Sequence, residues 1–156
     1  MKIVAVVNQR GGVAKTTTVA NLGACLAERG KRTLLIDLDP QANLTVGLGI
    51  PWYELENALH TVLLDSDETP LASVLHQVAG LPLYVAPGHL DLAHTEAVLL
   101  PHADKAYRLR NALEDLIAKQ EFDWVLIDCP PSLGTLTQNA IVAATDDAGR
   151  ITYVND

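Results

Sequence analysis

Arg10-Gly11-Gly12-Val13-Ala14-Lys15-Thr16-Thr17 follows the apolar run Ile3-Val4-Ala5-Val6-Val7, with only Asn8 and Gln9 between them. The order reads as strand, glycine loop, Lys-Thr, helix. In that order loop amides converge on an anion, and the helix N-terminus adds the positive end of its dipole. The chemistry favoured is a grip on nucleotide phosphates, with Lys15 reaching the outer phosphates and the Thr16 hydroxyl set for Mg²⁺. Against G-x-x-x-x-G-K-[ST] the match is imperfect: Gln9 replaces the first glycine and Ala14 the second. The form K-G-G-x-G-K-[ST]-T fits better, with Arg10 as its first basic residue and Gly11, Gly12 and Val13 behind it. A plain turn before an ordinary helix is the competing reading, and the strand ahead and helix behind weigh against it. If the loop needs a left-handed backbone at Ala14, its Cβ costs about 1 kcal/mol or more.

Outward from this loop, short apolar runs alternate with helical stretches. Strands are predicted at residues 2–7, 33–36, 83–85 and 124–127. Helices are predicted at 15–29, 90–99, 103–119 and 133–144, with two short ones in 54–78 broken near 66–70. Val19, Leu22 and Leu26 are assigned to the buried face of the first helix, which Gly30 ends. Residues 39–43 read as a loop. The alternation defines an α/β fold, a mostly parallel sheet with helices on both faces.

The chain has 156 residues, one domain's length. Its net charge of −8 opposes autonomous nucleic-acid binding, because phosphate neutralisation supplies most of that affinity. No apolar run approaches the ~18 residues of a membrane span, and Met1–Val7 lacks a secretory h-region. Cys25 and Cys129 are too few for a disulfide framework. A reduced, cytoplasmic protein with two buried thiols is expected. His60, His76, His89, His94 and His102 read as surface or satisfied histidines, and Ser132 lacks a G-x-S-x-G elbow.

In an open α/β sheet, ligands sit beyond the carboxyl ends of the strands. Asp37 and Asp39 end the second predicted strand and Asp128 ends the fourth. An Mg²⁺ ion on phosphates needs few protein oxygens. Thr16 is a direct ligand candidate, Asp128 a holder of metal-bound water, and Asp37 or Asp39 an orienter of attacking water. Asp37 also has the spacing of an acid that binds the ribose of NAD. The loop lacks G-x-G-x-x-G, however, and Lys15-Thr16-Thr17 is what a triphosphate with Mg²⁺ requires.

Three segments together resemble the nucleotide motifs of the ParA/Soj partition ATPases, of the deviant Walker A class that includes MinD. They are 8–18, then Leu35-Ile36-Asp37-Leu38-Asp39-Pro40-Gln41-Ala42-Asn43, then Val125-Leu126-Ile127-Asp128-Cys129-Pro130-Pro131-Ser132-Leu133-Gly134. The resemblance implies a P-loop NTPase-like three-layer fold, ATP and Mg²⁺ as ligands, and a homodimer sandwiching two ATP molecules. It implies that Arg10, where the family usually has lysine, reaches the partner's phosphates. Lys15 would bind phosphate, Thr16 Mg²⁺ and Thr17 the α-phosphate. Asp39 would orient water, Asp37 would lie near the metal, and Asp128 would be the Walker B acid. A ParB-like partner, non-specific DNA, DNA segregation and nucleoid association of a bacterial protein are implied in the same way.

The resemblance covers residues 1–145, read as a partial nucleotide-binding domain, and leaves 146–156 as a divergent tail. This tail does not resemble the family's next strand. The expectation is a fold incomplete on its C-terminal side, with an unpaired strand edge, exposed apolar surface and weakened ATP binding and hydrolysis. Two other functional readings stand beside the partition ATPase. One is a non-catalytic fragment binding a nucleotide or a partner. The second is a MinD-like positioning ATPase at the membrane, which needs an amphipathic C-terminal helix that the chain lacks.

Overall fold

A computed structural model describes residues 1–145 and the backbone of Tyr153 and Val154. The strands are β1 (Lys2–Val6), β2 (Thr33–Asp37), β3 (His76–Gln77), β4 (Leu83–Ala86), β5 (Trp124–Asp128) and β6 (Tyr153–Val154). The helices are α1 (Lys15–Glu28), α2 (Asn43–Gly47), α3 (Leu59–Leu64), α4 (Leu92–Leu99), α5 (Arg108–Ala118) and α6 (Thr135–Ala144). One sheet carries the strands in the order β3-β4-β2-β5-β1-β6. All its pairings are parallel except β3 with β4, which is antiparallel.

Both sheet faces are covered, so the central strands alternate between two apolar layers rather than between core and water. Ala5, Leu34, Ile36, Val125 and Ile127 face α3, α4, α5 and α6. Val4, Val6, Leu35, Val85 and Leu126 face α1 and α2. The chain leaves β1 through α1 and enters β2 on the far side of β5, so β5 lies between the two. The registers pair Val6 with Asp128 and Asp128 with Asp37. Three carboxyl ends therefore finish level, and this placement creates the site.

The predicted architecture stands, with local corrections. The stripe that α1 buries is Lys15, Val19, Gly23 and Ala27, whereas Leu22 is 39% exposed and Leu26 only half-buried. Small residues take the inner face because the helix rides close on the sheet. A Cβ at Gly23 would lie 2.6 Å from Leu35 Cδ2. Within 39–43, Asn43 already begins α2. The second of the two short helices expected in 54–78 is a single 3₁₀ turn, Leu71–Val74, followed by β3. Helix α5 starts at Arg108, because residues 103–107 form turns.

The expectation of an unpaired strand edge is corrected at two residues on the outer side of β1, where Tyr153 and Val154 run parallel to Ala5 and Val6. The rest of the 146–156 tail lies outside the described residues. Cys25 is exposed and only Cys129 is buried, which corrects the expectation of two buried thiols. No helix among the described residues is long and apolar enough to cross a membrane.

The revised packing has a direct check in urea unfolding. Leu113 is fully buried against the helical layer, so Leu113→Ala lowers stability by about 2–5 kcal/mol. Leu22→Ala changes it by less than about 0.5 kcal/mol, as expected of a surface position.

Candidate functional site

The loop between β1 and α1 closes through two left-handed residues, Gly12 (φ 72°) and Ala14 (φ 64°). Glycine adopts this backbone freely, whereas Ala14 carries its Cβ into it at a cost of roughly 1–2 kcal/mol. Ala14 is also the residue from which α1 starts, and its carbonyl accepts Thr18 N–H at 2.8 Å. Arg10, Gly11, Gly12, Ala14 and Thr17 are exposed, Val13 and Thr16 are half-buried, and Lys15 is buried. Together 11–17 form one wall of an open cleft of about 600 Å³, closed by Asp39, Gln41, Asn43 and Pro131.

Within the cleft the Lys15 ammonium donates to the Arg10 carbonyl at 3.1 Å, spanning the loop. The Thr16 hydroxyl donates to Asp128 Oδ2 at 2.7 Å, which leaves the hydroxyl oxygen's lone pairs free to accept or ligate. Asp128 Oδ1 is buried and without a hydrogen-bond partner. A buried acceptor left unmet costs roughly 1–3 kcal/mol, a cost that a proton or a cation at Oδ1 would relieve. Burial pushes the Asp128 carboxyl up to about 6, and the Asp39 charge adds to this. The Thr16 hydrogen bond and the Lys15 charge oppose the rise.

Asp39 is half-buried, and its Oδ1 accepts Gln41 N–H at 2.9 Å, which orients the carboxylate at the cleft wall. Asp37 lies deeper, with no exposed surface. Its Oδ2 accepts Thr45 N–H at 2.9 Å and the Thr45 hydroxyl at 2.6 Å, and its Oδ1 accepts Asp39 N–H at 3.2 Å. Thr45 in turn accepts Gly88 N–H at 2.8 Å. A Cβ at Gly88 would come within 2.8 Å of Asp37 Cγ, so this approach needs glycine. Burial pushes the Asp37 carboxyl up to about 7. The structure thus brings Lys15, Thr16, Asp39 and Asp128 together, and sets Asp37 behind them as a brace for the loop after β2.

Sequence reasoning missed Thr45 and Gly88, and quoted Gln41 and Asn43 within a motif without giving them a role. The first two belong to the brace, the last two to the cleft wall. A hydroxyl eight residues beyond Asp37 was the available signal, hidden inside a five-residue helix. Cys129, beside Asp128, is fully buried and its thiol is pushed up by burial, so it takes no part as a thiolate.

A strand, glycine loop and helix with a level row of strand-end carboxylates is the architecture of a P-loop α/β protein. The chain belongs to the AAA domain family, whose model matches residues 1–147. Within it, the sequence is similar to the sporulation initiation inhibitor protein Soj of Bacillus subtilis, 46% identical over 143 residues. That match takes in 92% of this chain and 55% of Soj. Chromosome partitioning protein ParA of Caulobacter vibrioides is also 46% identical, over 92% of this chain and 53% of its own. Among solved structures, cobyrinic acid a,c-diamide synthase from Mycobacterium smegmatis, with bound ATP analog and magnesium, superposes with a TM-score of 0.89 at 44% identity. That superposition covers 99% of this chain and 59% of the other. The chain spans about half the length of the curated relatives it matches.

Two outcomes follow from the loop and its carboxylates. Ala14→Gly relieves the left-handed strain and raises stability by about 0.5–1 kcal/mol in thermal or urea unfolding, net of glycine's greater chain entropy. A loss of stability would mean the alanine backbone is not strained there. The second concerns pH. An unfolded aspartate ionises near pH ~4, whereas folded Asp128 keeps its proton up to about 6. The folded state holds more protons in that window, so this group's contribution is present at low pH and is lost as pH rises towards 6. Urea unfolding between pH 4 and 8 should show a smaller fall for Asp128→Asn than for the unaltered chain.

Proposed function

We propose that the chain binds Mg·ATP and is the nucleotide-binding part, residues 1–145, of a ParA-type partition ATPase. The observation that carries this reading is the Thr16–Asp128 pair beside Lys15, with one Asp128 oxygen buried and unmatched. An unmatched carboxylate oxygen, a hydroxyl oriented by its neighbour and a lysine at a helix N-terminus are a donor set for a cation between phosphates. The Thr16 oxygen and Asp128, directly or through water, would hold Mg²⁺. When bound, that ion neutralises charge on the phosphates as the outer one is transferred.

The protein's own residues do the remainder. The amides of 11–17 receive the phosphate oxygens. Lys15 gives up the Arg10 carbonyl for a phosphate, exchanging a neutral acceptor for a charged one, which makes a stronger hydrogen bond. Asp39, oriented by Gln41 N–H, holds the attacking water and takes its proton at a carboxylate oxygen. Asp37 keeps Asp39 in place by accepting its N–H, Thr45 braces Asp37 in turn, and the expected place of Asp37 near the metal remains part of this proposal. Arg10, exposed at the mouth of the loop, is free to reach the phosphates of a second copy across a nucleotide-bound dimer. A ParB-like partner, non-specific DNA, chromosome or plasmid segregation and a cytoplasmic, nucleoid-associated location are proposed from the likeness to Soj and ParA. The exposed position of Arg10 is what supports the dimer.

Titration calorimetry and phosphate release test the reading together. Lys15→Ala removes measurable Mg·ATP binding. Asp39→Ala retains binding and loses hydrolysis. If neither substitution alters an ATP-dependent signal, the proposal fails. Binding without phosphate release by the unaltered chain would leave a nucleotide-binding fragment and remove the ATPase.

A further inference from the structure

His60, on α3, contradicts the expectation of a surface or satisfied histidine. Its side chain is buried at 7% exposure, and Nδ1 has no hydrogen-bond partner. His89, in the connection between β4 and α4, stacks on it with ring centroids 4.2 Å apart and planes 25° from parallel. Asp91 lies two residues on: its N–H donates to His89 Nδ1 at 3.1 Å, and its Oδ2 is 3.5 Å from the same nitrogen. One ligand atom from each of His60, His89 and Asp91 can be chosen so that all three lie within 4.8 Å of one another. No other such group of His, Cys, Asp or Glu occurs among the described residues.

We propose that His60, His89 and Asp91 form a site for a divalent transition metal of the zinc class, distinct from the phosphate loop. Two imidazoles and one carboxylate are the mixed N,N,O donor set that zinc accepts, and Mg²⁺, which prefers oxygen, does not. Three protein ligands leave the fourth tetrahedral position to water. An unmatched nitrogen inside the protein is costly, and an ion bound at His60 Nδ1 would satisfy it. Burial holds His60 below the usual histidine range, and the neighbouring His89 acts in the same direction.

Bonds of about 2.0–2.2 Å to one tetrahedral ion place donor atoms roughly 3.3 Å apart. The three atoms must therefore draw together, and the stacked rings must turn out of parallel. The movement falls on the exposed Asp91 and the half-buried His89, while the buried His60 stays fixed. Because Gly88 anchors to Thr45, an ion here would fasten the same connection that braces Asp37.

The test is titration of the untagged, nucleotide-free chain with Zn²⁺ alone near neutral pH, read by calorimetry and by tryptophan emission. Trp52 is the reporter, since its ring meets His89 edge-on at 5.2 Å. One equivalent of Zn²⁺ should bind with a change in emission. His89→Ala and Asp91→Ala should each weaken binding at least about tenfold, the loss that even an outer-shell partner causes. His60→Gln should do the same while preserving the side chain's bulk. Circular dichroism establishes that each variant is folded, and if His60→Gln is not, the two loop variants decide. Absence of saturable binding, or equal affinity in the folded variants, overturns the proposal. Because Mg·ATP is absent throughout, the result is independent of the nucleotide reading.

Discussion

The site depends on one hydrogen bond, from Thr16 Oγ1 to Asp128 Oδ2, which joins residues 112 positions apart. It fastens the start of α1 to the end of β5 where neighbouring strands finish level. The bond exists because β5 lies between β1 and β2, so that Val6, Asp128 and Asp37 share one row. A one-residue slip in a parallel strand would turn these side chains to opposite faces. The apolar layers prevent it, since each strand has alternate residues committed to helices on either side. Register set by hydrophobic packing is thus what aims the polar groups.

That aim is held against opposing local preferences. Ala14 and Ala42 both sit in the left-handed region, and each immediately precedes a helix that shapes the cleft. The carboxyls of Asp37 and Asp128 are both displaced upward by burial. Strain and buried charge tend to gather where a protein binds or reacts. Here the packed sheet beneath supplies the stability that lets a loop, two alanines and two carboxylates remain in costly states.

The four inner strands, β4, β2, β5 and β1, were legible because alternating commitment to two apolar layers produces short continuous runs such as Thr33-Leu34-Leu35-Ile36. The glycine loop between β1 and α1 was legible because strand, glycines, Lys-Thr and helix follow one another in a fixed local order. Asp39 and Asp128 were readable from their places at strand ends. Leu22 misled, because apolar spacing alone does not reveal that the helix approaches the sheet through Gly23 and Ala27. Thr45 was hidden because its partners, Asp37 and Gly88, come from two different strand ends, β2 and β4. The buried nitrogen of His60 was invisible for a related reason. A histidine among leucines looks like any other until folding shows what surrounds it.

The far edge of the sheet has its own consequence. Strand β3 runs antiparallel to β4 and is only two residues long, His76 and Gln77. It occupies the main-chain groups at Tyr84 and Val85 while offering very little backbone of its own. Brief outer strands of this kind are a recognised defence against edge-to-edge growth. On that side, the molecule gives an incoming extended chain almost nothing to zip onto, and runaway fibril-like association is discouraged there by geometry alone.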